Sequence, residues 1–122
     1  MFIFLSCDDK AEPDERINDT LQGEWEIISW TNDEEEFIGM AFQSVTYEFN
    51  KESPNGGTLI ITRVPIPGGG TTGVFRRPYE VINDGTQLRL DEGDLNLLLD
   101  NMRLILSGLL DDVRVEIEGE KS

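Results

Sequence analysis

The chain has no histidine and a single cysteine among its 122 residues. Lack of imidazole removes the commonest general base and the commonest metal ligand, and one cysteine excludes an intrachain disulfide. Bases are scarce as well. There are 10 Lys and Arg against 25 Asp and Glu, a formal charge of -15 that argues against nucleic acid or an anionic membrane surface as a partner. The sole apolar run able to meet a membrane is Met1 to Leu5, far short of the roughly 20 residues a spanning helix needs. A nucleophile with its base and a metal cluster are thus both missing, which leaves paired carboxylates. Asp91-Glu92-Gly93-Asp94 and Asp111-Asp112 fall where turns are expected, without the alternating spacing of a calcium loop. They read as solvated turn residues, so no enzyme, no metal and no cofactor are expected.

What is present suits one domain with a single core. The acid is unevenly placed: residues 1 to 36 hold 12 Asp or Glu against Lys10 and Arg16, and residues 37 to 122 hold 13 against 8 bases. Residues 1 to 20 therefore read as a self-repelling, disordered tether, and residues 21 to 122 as the folded domain. The tether begins Met1-Phe2-Ile3-Phe4-Leu5-Ser6-Cys7 and passes at once into Asp8-Asp9-Lys10. An apolar run ending in a small residue and a cysteine before acidic residues resembles a bacterial lipoprotein signal. That resemblance implies acylation of Cys7 and removal of what precedes it, and a membrane held through the acyl anchor. Acidic residues directly after the cysteine also resemble signals that send such lipoproteins to the outer face of the outer membrane. The implied location is the cell envelope, with an envelope protein as a partner to consider. Asn18-Asp19-Thr20 matches a glycosylation triplet that chance alone supplies.

From Leu21 onward the pattern is of strands. In Gly23-Glu24-Trp25-Glu26-Ile27-Ile28-Ser29 the period of two seats Trp25, Ile27 and Ser29 on one side and the carboxylates on the other. After a polar turn at residues 31 to 36, Phe37, Met40 and Ala41 recur at helical spacing and suggest a short lid. Residues 44 to 49 alternate with Val45, Tyr47 and Phe49 inward, residues 58 to 64 follow as a third strand, and Pro65 to Gly73 must be a loop. Gly68 and Gly73 have phosphate-loop spacing, but Val74 and Phe75 stand where Lys and a hydroxyl are needed. Residues 74 to 82 extend again with Phe75, Tyr79 and Val81 on one face, and Asn83-Asp84-Gly85 signals a tight turn before residues 86 to 90. Residues 94 to 110 admit two readings, an amphipathic helix or a hairpin turning at Asp100-Asn101, and the hairpins on either side favour the second. Residues 113 to 118 alternate cleanly.

Eight strands joined by short turns suit an all-β, up-and-down antiparallel barrel whose last strand closes on its first. Together with Gly23-x-Trp25 at the first strand, this resembles the lipocalin-like domains. That likeness implies a barrel-closing motif in which an Arg of the final strand, here Arg114, packs on Trp25 by cation-π contact beside Gly23. The family's Thr-Asp-Tyr motif is represented only by Asp100, which places the resemblance with the minimal bacterial lipocalin-like domains. Trp25, Ile27, Tyr47, Phe49, Phe75, Tyr79, Leu88, Leu104 and Val115 are expected to line the interior. Either the barrel holds one small apolar ligand, or these residues fill it and the protein is an accessory lipoprotein that works through its outer surface. An enclosed apolar void of roughly 300 Å³ or more would favour the ligand.

Overall fold

A computed structural model describes residues 12 to 122. Nine strands and one helix follow in the order α1 (Pro13–Leu21), β1 (Gly23–Asn32), β2 (Glu35–Glu36), β3 (Phe42–Ser53), β4 (Gly56–Pro65), β5 (Gly73–Ile82), β6 (Gln87–Leu90), β7 (Gly93–Asp100), β8 (Arg103–Leu110) and β9 (Val113–Lys121). Each strand from β3 to β9 is antiparallel to the next, β1 pairs with β3, and β9 returns to pair with β1. The result is a closed eight-stranded antiparallel barrel, with the two-residue β2 added along the far half of β1. The ambiguous leucine-rich stretch is the hairpin β7–β8, with Asp100 opposite Arg103 and Asn101 in the left-handed region at the turn. Its alternation buries Leu95, Leu97, Leu104 and Leu106 and leaves Leu98 outside.

Two local expectations are corrected. Residues 37 to 41 form a turn, not a helical lid: the amides of Met40, Ala41 and Phe42 all fold back onto the Phe37 carbonyl, and Met40 stands in solvent. Residues 13 to 20, expected as disordered tether, are the body of α1. Pro13 supplies a fixed φ at the first helical position, and Asp14 and Glu15 meet the positive end of the helix dipole. Polar overall, this helix draws its stability from docking: Leu21 and Asn18 are fully buried and Ile17 packs on the core.

The helix plugs one end of the barrel. Asn18 donates from Nδ2 to the carbonyls of Ser53, Pro54 and Gly56 at 3.2, 3.1 and 3.3 Å, and its Oδ1 accepts from the Tyr79 hydroxyl at 2.6 Å. A buried Asn18 is no glycan acceptor. Gln22 ties the same hydroxyl to the Lys51 amide, and Trp25 Nε1 donates to the Leu21 carbonyl at 2.8 Å. The Asp14 carboxylate caps the Gly85 amide at 2.6 Å. Beneath this plug the interior is solid, with Phe49 edge-on to Tyr79 at 5.1 Å and Trp25, Leu59, Val81, Leu88 and Leu104 packed around them.

Candidate ligand-binding site

The opposite end of the barrel is open, and three irregularities make it so. The first is a bulge in β1 between Ile27 and Ser29, where two residues face one on β9. It reverses the alternation, so Ser29 leaves the inward face on which the sequence pattern places it and Trp30 takes its place. Ser29 then donates to Glu36 at 2.7 Å. The same Glu36 carboxylate accepts from the amides of Trp30, Phe37 and Ile38 at 2.9, 3.2 and 3.0 Å. Burial, the largest single influence, works against ionisation there, but these hydrogen bonds together outweigh it and hold the carboxyl below its usual range.

The second is the length of β6. Its four residues pair only with residues 80 to 82 of β5 on that side, so residues 73 to 79 of β5 lack a neighbour there. Pro78 lies in that stretch, where its missing N–H leaves no ladder bond unmade. Arg77 bridges the notch by an ion pair to Glu92 in the β6–β7 turn. The third is the aromatic collar at the rim. Trp30 stacks on Phe42 at 5.6 Å and meets Phe37 at 4.7 Å. The Arg63 guanidinium lies 4.9, 5.7 and 4.6 Å from the ring centres of Trp30, Phe42 and Phe75.

Between collar and core lies a half-enclosed cup of about 240 Å³. Its wall is apolar where β6 to β9 pass, with Leu90, Leu95, Leu106, Val115 and Ile117, and polar where Arg63, Arg77, Glu92, Asp111 and Tyr47 face in. Tyr47 is buried, which pushes its phenol up to about 12 against the opposing pull of Arg63 and Arg77, so it is a neutral hydroxyl at any ordinary pH. Burial also lowers Arg63 from its ordinary value, though a guanidinium starts so high that it stays charged.

Of the residues expected inside, the structure brings only Tyr47 and Val115 to the cup. Trp25, Ile27, Phe49, Tyr79, Leu88 and Leu104 belong to the buried core. Phe75 has the inward parity but sits at the rim, 41% exposed and over Arg63, so it lines no interior. Arg114 does not reach Trp25. Antiparallel closure sets the start of β1 against the end of β9, so Trp25 faces Lys121, whose Nζ lies 4.7 Å from the indole centre. Arg114 is at the far end, its amide bonded to Asp33 Oδ1 at 3.2 Å and its carbonyl to the Asp33 amide at 2.8 Å. Lys121 also bonds the Gln22 carbonyl beside Gly23, and a Cβ on Gly23 would come within 3.1 Å of its Nζ. Lys121 shares the inward parity of Val115 and Ile117, a signal already in the sequence. Arg63 and Trp30 had none: one reads as the polar end of a strand, the other is turned inward by a bulge. Cys7 lies outside the described residues. Glu92 is a turn residue as expected, but paired to Arg77 instead of solvated.

No protein-family model and no curated protein matches this sequence. Among solved structures the chain is similar to a de novo designed fluorescence-activating β-barrel, with a TM-score of 0.56 at 14% identity over 83% of this chain and 93% of that one. The likeness is one of fold.

Proposed function

We propose that this chain is a lipocalin-like binding protein, held at the cell envelope by an acyl group on Cys7, whose barrel receives one small and largely apolar ligand through its open end. The cup of about 240 Å³ carries this reading. It holds roughly eight waters' worth of volume, is walled by aliphatic side chains, and opens at the end remote from α1. The interior is neither the enclosed void of roughly 300 Å³ that would favour a ligand outright nor a filled core. It is solid on the helix side and hollow on the other, and a one-ended cup suits a ligand that enters and leaves. The designed barrel of similar fold is fluorescence-activating, an activity of that protein. The anchor rests on the sequence of residues 1 to 9.

Native mass spectrometry of protein purified from its own host tests the ligand: a co-purifying small mass is expected. Only the bare chain mass, with no response of tryptophan fluorescence to a panel of small amphiphiles, would overturn it. The anchor is checked separately, since Cys7→Ala should move the protein from the detergent phase to the aqueous phase.

A second reading, an accessory protein acting through its outer face, is favoured by Leu98, Met102 and Leu109, which stand 58, 60 and 52% exposed on or beside β7 and β8.

A further inference from the structure

We infer that the ligand of the cup carries a single anionic head, with Arg63 as its counter-ion and the Tyr47 hydroxyl as a second donor; this rests on the binding reading above. The cup is lined by two guanidiniums, Arg63 and Arg77, and two carboxylates, Glu92 and Asp111. In a chain with 25 acids and 10 bases, an internal wall drawn at random would be acidic. The balance in the cup is even, and only one of its guanidiniums is paired: Arg77, with Glu92. Among the described residues Arg63 makes no salt bridge, and its Nε is buried without a hydrogen-bond partner. A charge partly removed from water in this way is costly unless something compensates it. The rings of Trp30, Phe42 and Phe75 compensate in part, and they also fix the guanidinium so that its remaining N–H groups are preorganised. A carboxylate matches that fork with two parallel hydrogen bonds.

Tyr47 stands on the same inward face. It pairs across the sheet with Ile61, two residues before Arg63, so hydroxyl and guanidinium are diagonal neighbours. The hydroxyl is neutral and able to donate. Two carboxylates complete the selection. Glu92 is taken up by Arg77, though its Oε1 is buried without a hydrogen-bond partner, and Asp111 also lines the cup, so a second negative group on the ligand would find no free cation and would meet the Asp111 carboxylate. Leu95, Leu106 and Ile117 accept an apolar body of one ring or a short chain. The class that fits is a small amphiphilic monocarboxylate.

Octanoate and 1-octanol share an apolar body and differ in the head, so the pair isolates the inference. By isothermal titration the wild-type protein should bind octanoate more tightly by about tenfold to a hundredfold, the range a charge-assisted pair of hydrogen bonds supplies. Arg63→Gln should remove that preference while still binding octanol. Arg63→Met, of similar length, repeats the measurement should the Gln variant fold poorly, with circular dichroism as the check. Equal affinity for the two probes, or a preference that survives in both folded variants, overturns the anionic head but leaves the cup a binding site. Binding of neither probe by the wild type overturns both.

Discussion

Asn18 satisfies three backbone carbonyls, a phenol and an amide side chain from a single buried position. Asn18→Leu keeps the volume but strands those partners out of reach of water, so we expect a loss of about 2 to 4 kcal/mol in urea unfolding, with the native circular dichroism retained. Tyr47 makes a second prediction. Its folded pKa of about 12 lies above the ordinary value of 10, so the folded state holds its proton more tightly than the unfolded chain. The associated stability is complete below pH 10 and is lost as pH rises from about 10 to 12, by roughly 2 to 3 kcal/mol. Tyr79 is raised as well, through burial. As these are the chain's only tyrosines, absorbance titration should show phenolate forming later than the ordinary value of 10, with the Tyr47 part coupled to unfolding. That Tyr47 and Tyr79 face inward was readable from period-two alternation. Their separate fates, one in the cup and one under a helix, depend on which end of the barrel each strand enters.

At the scale of elements, α1 and the β1–β2 corner set the two ends of the barrel. Gly85 has a φ of 80° and lies so close to α1 that a Cβ would meet Ile17 Cγ1 at 2.5 Å. Gly85→Ala therefore combines strain with a clash, and we expect about 1 to 3 kcal/mol of destabilisation by chemical denaturation. The turn signal at Asn83-Asp84-Gly85 was plain in the sequence, but the helix docked on it was not. Residues 13 to 20 are too polar to mark a buried face, and only Ile17, Asn18 and Leu21 of α1 are buried or packed against the core. At the other end Glu36 joins β1 to the aromatic collar. Glu36→Ala should cost about 1 to 2 kcal/mol and broaden the Trp30 environment, seen as a red-shifted fluorescence emission. Because its folded pKa is lowered, the support it provides is present above the ordinary carboxylate value of 4.5 and is lost as pH falls below it.

For the whole molecule, the formal charge of -15 leaves 25 acids with only 10 bases to offset them. Self-repulsion of this kind is screened by salt. The melting temperature should rise as ionic strength goes from about 0.01 to 0.5 M, over which the Debye length shrinks from roughly 30 Å to a few ångströms. Surface pairs such as Arg103 with Glu118 and Glu120 lose strength over the same range, but each is worth little.

Alternation along Val45-Thr46-Tyr47-Glu48-Phe49 and Val113-Arg114-Val115-Glu116-Ile117, with Gly and Asn-Asp turns between the strands, determined by itself that the chain is built of half-buried strands joined by short turns, since such a strand cannot carry its apolar side chains at any other period. Tertiary structure alone decided that Lys121 and not Arg114 covers Trp25, because the partner of a residue in the first strand is set by the register of closure. It also decided that a bulge turns Trp30 inward and that the interior is solid at one end and hollow at the other. Those outcomes depend on how strands of unequal length meet around a ring, and no local stretch of sequence contains that information.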